Sequence, residues 1–105
     1  MAREDLGQRM ELGWLLAFYG RLLTDKQREI ISMHCEEDLS LAEIAAETGI
    51  SRQGVYEQLS RGSARLLSFE EKLGVAARFR RMQEGLEDCL SMLRSQEYSR
   101  AEALL

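Results

Sequence analysis

Between Ser40 and Val55 the chain is punctuated in a way that few backbone arrangements can satisfy. Ser40 precedes Glu43 by three residues, the spacing at which a serine hydroxyl takes a helical N–H and the glutamate reaches back to the serine amide. The segment LAEIAAET then puts Leu41, Ile44 and Ala45 on one face. Gly49 supplies a residue able to turn left-handed and stop the helix, Ile50 an apolar residue in the turn, and Ser51 the cap of a second helix. The two helices must cross near Ala45, where a larger side chain would push them apart. Ile44, Ala45, Gly49, Ile50, Val55 and Leu59 thus read as the structural residues of a helix-turn-helix over residues 40–66. Gln58 stands where a further core aliphatic is usual, so Leu59 serves instead.

The rest of the chain extends this all-α reading to about five helices. Proline is absent and glycine numbers only eight, so the commonest helix breakers are missing. Residues 5–23 place Leu6, Met10, Trp14 or Leu15, Phe18 and Leu22 at spacings of three and four, the stripe of an amphipathic helix. Thr24 with Gln27 repeats the capping box and opens a second helix carrying Ile30, Ile31 and Met33 inward. The helix capped by Ser51 is expected to run to about Leu67. A long helix follows over about 69–94, then a flexible tail at 95–105 in which Ser99 and Glu102 offer a marginal last cap. Phe69, Leu73, Ala76, Phe79, Met82, Leu86, Cys89 or Leu90, and Leu93 form the long helix's stripe, heptad-like from Phe79 onward. That helix outreaches what so small a body can cover. Phe79, Met82, Leu86, Cys89 and Leu93 therefore need a partner surface, either the first helix or, the reading favoured by the pattern, a second copy in a homodimer.

A chain of 105 residues, 45% hydrophobic and 30% charged, suits one domain over 1–105. No apolar run approaches the roughly 18 residues of a membrane span, and the charges in MAREDLGQRM are unlike a signal peptide, so a cytoplasmic protein without membrane insertion is expected. Cys35 and Cys89 are far apart without metal-type spacing and read as thiols of a reducing compartment. His34, the single histidine, points about 100° away from Cys35 on a helix and cannot pair with it for catalysis. Glu36, Glu37 and Asp38 lack the second ligand set of a cation loop and read as a solvated acidic turn. No glycine-rich phosphate loop or nucleophile elbow occurs. No enzyme, metal or cofactor is expected.

The net charge of −4 opposes a protein that gains affinity by coating a phosphate backbone, so nucleic-acid contact has to be local. The second helix of the motif offers such a place. With Val55, Leu59 and Leu66 inward, it turns Arg52, Gln53, Tyr56, Glu57, Ser60 and Arg61 outward, with Arg65 beyond them. Arginine can fork onto guanine or phosphate, glutamine onto adenine, and tyrosine can stack. Arg52 and Gln53 also sit at a helix N-terminus, which favours an anion.

Residues 19–67, YGRLLTDKQREIISMHCEEDLSLAEIAAETGISRQGVYEQLSRGSARLL, resemble the YlxM family of small bacterial proteins. The resemblance rests on Phe18-Tyr19, Leu22-Leu23-Thr24, Lys26-Gln27, Glu37 through Leu41, Glu43-Ile44-Ala45, Ser51-Arg52-Gln53 and Val55-Tyr56, and extends through Glu70-Glu71-Lys72-Leu73. Gly54 departs from the alanine more usual there, and Gly62 is a second glycine in the same helix. The resemblance implies a fold similar to region 4 of sigma factors and a link, drawn from gene neighbourhoods, to the signal recognition particle. A regulator that binds the particle's RNA, or its GTPase or receptor, follows as an expectation. A DNA-binding transcription regulator and a protein-interaction module are the rival expectations.

Overall fold

The computed structural model describes the backbone of residues 3–104 and side chains from residue 7 to 104. Five α-helices follow in order: α1 (Arg3–Tyr19), α2 (Asp25–Cys35), α3 (Leu41–Thr48), α4 (Arg52–Leu73) and α5 (Val75–Leu104), with a 3₁₀ turn over Gly20–Leu22 between the first two. The fold is all-α. Both capping boxes form: Thr24 Oγ1 accepts from Gln27 N at 3.2 Å, and Ser40 Oγ accepts from Glu43 N at 3.2 Å. Gly49 closes α3 in the left-handed conformation at φ 73°, and Ser51 Oγ caps α4 by accepting from Gly54 N at 3.0 Å.

Two apolar clusters hold α1 to α4 together. The smaller, Ile30, Ile44 and Val55, is fully buried and joins α2 to the helix-turn-helix, with Leu39, Leu41, Ala45 and Ile50 packed against it. The larger contains Leu15, Leu16, Tyr19, Leu23, Ile31, Leu66 and Ala76. Leu59 touches both clusters, so the residue standing in for Gln58 knits the motif to the rest of the core.

Where α2 crosses α4 the helices meet at Gly62. A Cβ there would lie 2.5 Å from Ile31 Cδ1 and 3.3 Å from Gln27 Cβ. The glycine therefore permits close approach and does not mark a soft point. Beside it, Gln27 Oε1 accepts from Arg65 Nη1 at 3.0 Å, while Arg65 Nη2 donates to Leu22 O at 2.8 Å.

Several boundaries differ from expectation. Met10 and Leu22 are 70% and 51% exposed, whereas Leu12, Leu15, Leu16 and Tyr19 form the inward stripe; Leu6 lies outside the described side chains. The 3₁₀ turn resets the helical phase after Tyr19, so Leu23 turns inward and Leu22 outward. The break expected near residue 68 falls instead at Gly74, left-handed at φ 62°, and Phe69 packs within α4 at 6.0 Å from the Tyr19 ring. Residues 95–104 continue α5, so Ser99 and Glu102 lie inside a helix and cap nothing.

Sequence spacing also gave no hint of how α5 starts. Glu70 folds back across Gly74: Oε1 accepts from Ala76 N at 3.1 Å and Oε2 from Ala77 N at 2.9 Å. The Tyr19 hydroxyl donates to Glu70 Oε1 at 2.5 Å and accepts from Val75 N at 3.1 Å. Arg78 N bonds Gly74 O at 3.1 Å, so all four leading amides of α5 have partners. The phenol and those amides hold the Glu70 carboxyl below its usual range against the opposing effect of burial. Burial, and then the hydrogen bond to Glu70, push the Tyr19 phenol up.

Two predictions follow from this packing. Gly62→Leu must wedge α2 from α4, with an expected loss of about 1–3 kcal/mol in urea denaturation, whereas Gly85→Ala in open surroundings should raise helicity in circular dichroism. Glu70→Ala removes a cap and should cost about 1–2 kcal/mol. Because its folded pKa is lowered, the wild-type contribution of Glu70 is present above the ordinary carboxylate range and lost as pH falls through the folded value. Tyr19 has the opposite sign: its contribution is present below the ordinary value of 10.0 and lost as pH rises through the raised folded value. A pH series in which wild type and Glu70→Ala keep a constant stability difference down to the acid limit would contradict this account.

Candidate nucleic-acid interface

The geometry of α4 follows from its inner face. Val55 and Leu66 are fully buried and Gly62 is buried against α2, which fixes the opposite side of the helix toward solvent. Arg52, Gln53, Tyr56, Glu57, Ser60 and Arg61 are all exposed on that side, at the spacings of three and four that make one stripe. Tyr56 is 55% exposed, so one ring face is available for stacking. Arg52, Gln53 and Tyr56 join Leu41 of α3 around a shallow depression of about 520 Å³ at the N-terminal end of α4. The contribution of Leu41 escaped the sequence reading, which used it only as a core residue. As the first residue after the Ser40 cap, it lies beside the start of α4 and half-exposes its side chain there.

Arg65 is brought to a different task. Its guanidinium bonds Gln27 and Leu22 and lies 5.5 Å from the centroid of the Phe69 ring, holding α4 to the start of α2. The structural residues of the motif, Ile44, Ala45, Gly49, Ile50, Val55 and Leu59, line the α3–α4 crossing and the small core beneath it. Gly54 also sits tightly: a Cβ there would lie 2.5 Å from Ile50 Cγ2. Glycine in place of alanine lets Ile50 pack against the first turn of α4.

Charge is divided across the motif. α3 exposes Glu43 and Glu47, and the preceding turn exposes Glu37 and Asp38. The Ser40 amide and hydroxyl hold the Glu43 carboxyl below its usual range. Asp38 adopts the left-handed conformation at φ 56° and pairs with Arg9 of α1. An acidic α3 beside the Arg52 and Arg61 stripe leaves α4 as the cationic side of the motif.

A second groove runs beside α4, about 550 Å³ in volume, with Leu12, Leu59 and Leu67 as apolar lining and Arg9, Glu11 and His34 on its rim. Cys35 lies half-buried nearby on α2, where burial pushes its thiol up to about 11 and the Arg9 charge only partly offsets this. No three acidic, histidine or cysteine groups converge as a metal cluster among the described residues. No described helix is long and apolar enough to cross a membrane.

The expected partner face is divided. Phe79 stacks into an α1 aromatic cluster, 5.9 Å from Trp14 and 5.4 Å from Phe18, and keeps 45% of its surface open. Arg80 lies 5.1 Å from the centroid of the Trp14 ring and reaches Glu11 at 3.4 Å. Beyond this point Met82, Leu86, Cys89 and Leu93 are exposed, together with Leu90 and Met92.

Comparison with known proteins agrees with this architecture. Residues 6–103 match the profile of the family described as "Putative helix-turn-helix protein, YlxM / p13 like". A UPF0122 protein of Acetivibrio thermocellus is 43% identical over 89 residues, covering 85% of this chain and 76% of its own length. One of Halalkalibacterium halodurans is 42% identical over 82 residues, covering 78% and 75%. One of a Thermoanaerobacter species is 51% identical over 73 residues, covering 70% of this chain but only 62% of the relative. With a match over nearly the whole chain and a helix-turn-helix at its centre, the chain belongs to the UPF0122, or YlxM / p13-like, family.

Proposed function

We propose that this protein is a non-enzymatic regulatory protein of the cytoplasm that contacts nucleic acid through the N-terminal half of α4 and takes part in the signal recognition particle pathway. The observation carrying this reading is the single exposed stripe of Arg52, Gln53, Tyr56, Ser60 and Arg61, beginning at a helix N-terminus. Arg52 and Gln53 act as readers of base edges, Tyr56 as a stacking surface and Arg61 as a phosphate contact. Arg65 anchors the helix from behind.

The acidic face of α3 favours the particle's RNA over a long duplex. In a helix-turn-helix on DNA the first helix crosses the phosphate backbone, and Glu43 and Glu47 would meet phosphates there. A folded RNA with unstacked bases can reach the end of α4 without covering α3. The particle's GTPase or receptor is a further partner in this reading, and the protein works as a homodimer carrying two such stripes.

The test is to purify a tagged copy gently from its host and sequence the accompanying RNA and DNA in parallel, then measure binding of the recovered ligand. Signal recognition particle RNA should be enriched, and Arg52→Ala with Gln53→Ala should weaken it about tenfold or more with loss of preference. Arg61→Ala should weaken all sequences alike and lower the salt slope by about 1. Discrete promoter DNA would make the protein a transcription regulator, and unchanged binding in all three variants would remove α4 from the interface.

A further inference from the structure

Glu57 stands in the middle of the α4 stripe, and contact of that stripe with nucleic acid leaves it without a task. It follows Gln53 by four residues and precedes Ser60 by three and Arg61 by four, so all three are its neighbours on the helix surface. Its side chain is exposed, on the side of α4 away from the buried Val55, Gly62 and Leu66. Glutamate four residues before arginine is the favourable order for an ion pair on a helix, yet among the described residues neither Glu57 nor Arg61 forms one. Both charges face solvent singly.

The rest of the stripe consists of groups that donate hydrogen bonds, or both donate and accept: the Arg52 and Arg61 guanidiniums, the Gln53 amide, and the Tyr56 and Ser60 hydroxyls. A carboxylate only accepts. It also repels phosphate within a Debye length of about 8–10 Å, and a step of four residues along α4 is only about 6 Å. Arg52 and Arg61 are separated by about 14 Å along the axis. A phosphate at either arginine meets the opposite charge, whereas one lying between them meets the carboxylate first.

A base edge fits that middle position better than the backbone does. The exocyclic amines of cytosine, adenine and guanine donate and would satisfy the carboxylate, whereas O4 of uracil or thymine would face it oxygen to oxygen. A phosphodiester offers no donor at all. In an RNA duplex the cytosine and adenine amines lie in a major groove too deep and narrow for side chains, so the base within reach of Glu57 is an unpaired one.

We infer that Glu57 is a specificity-determining residue, which accepts from the exocyclic amine of an unpaired base and keeps the phosphate backbone off the centre of α4. This rests on the proposed contact of α4 with nucleic acid, and adds the class of base selected and the binding mode rejected. The rejected mode is a duplex laid along α4 by its phosphates.

The test uses fluorescently labelled RNA hairpins that share one stem and differ in the single-stranded loop: all uridine, all cytidine, uridine with a central guanosine, or uridine with a central inosine. Cytidine carries an amine where uridine has the O4 carbonyl, and guanosine differs from inosine only in the N2 amine, so stacking on Tyr56 is nearly constant within each pair. Wild-type protein should prefer the amine-bearing member of at least one pair by about tenfold, and the pair that responds identifies the base. Glu57→Ala removes an exposed side chain. It should lose that preference and bind the bare stem several-fold more tightly at low salt, a gain that fades near about 1 M. Glu57→Gln drops the charge but keeps an acceptor, so it should gain equally on the stem and retain part of the preference.

No preference in the wild type, a preference that survives in Glu57→Ala, or a stem bound no better by either variant overturns the inference. The α4 reading is judged separately. It stands if Arg52→Ala, Gln53→Ala and Arg61→Ala weaken binding while the Glu57 variants behave as wild type, an outcome that removes only the role of Glu57. Wild-type protein that binds no hairpin at about 100 μM overturns both.

Discussion

The close crossing of α2 and α4 at Gly62 is the constraint on which the rest of the molecule depends. The absence of a side chain at that position brings Ile31 and Gln27 against the α4 backbone, with the Gly62 side of α4 turned toward α2. Once α4 is rotated so, Val55, Leu59 and Leu66 must face inward, and Arg52, Gln53, Tyr56 and Arg61 must face water. The helix propensity that glycine forfeits, about 1 kcal/mol relative to alanine, is offset by burial of the Ile31 side chain and by the Arg65–Gln27 hydrogen bond at the same crossing. A glycine that looks in the sequence like a weak point in the recognition helix is the reason that the helix presents a defined face.

The parts of the fold that were legible are those governed by local chemistry. The Ser40–Glu43 and Thr24–Gln27 boxes, the left-handed Gly49 and the Ser51 cap involve residues within three or four positions of one another, so spacing alone reveals them. The missed features all depend on partners distant in sequence. Glu70 caps α5 only because Tyr19, 51 residues earlier, is buried beside it, and Arg65 ties α4 to the start of α2 only because Leu22 offers a carbonyl 43 residues away. An arginine on a recognition helix reads as a ligand contact until that carbonyl is known. Likewise Met10 and Leu22 satisfy a helical period as well as Leu12 and Tyr19 do, and only packing against the distant Ile31, Leu66 and Ala76 decides between the two stripes.

The candidate site divides along the same line. Its outward side chains could be read from the amphipathic pattern of α4, since a buried Val55 and Leu66 dictate what lies opposite. The depression they share with Leu41 could not, because it is formed where two helices meet end to side. The acidic residues of α3 were visible as a composition feature, yet their bearing on ligand choice appears only when α3 is seen beside the cationic stripe.

The two faces of the protein, the polar stripe of α4 and the apolar seam of α5, are held in one geometry by the joint at Gly74. A glycine between two long helices would by itself permit a wide range of angles. Here the range is closed, because each of the first four amides of α5 is already bonded to Tyr19, Glu70 or Gly74 and the Tyr19 ring is locked in the α1–α4 core. The contacts of Phe79 and Arg80 with Trp14 add a second tie one turn along α5. The apolar stripe of α5 is therefore set at a fixed distance and angle from α4. The relation of the two faces is a property of the Tyr19–Glu70 joint, not of a flexible linker.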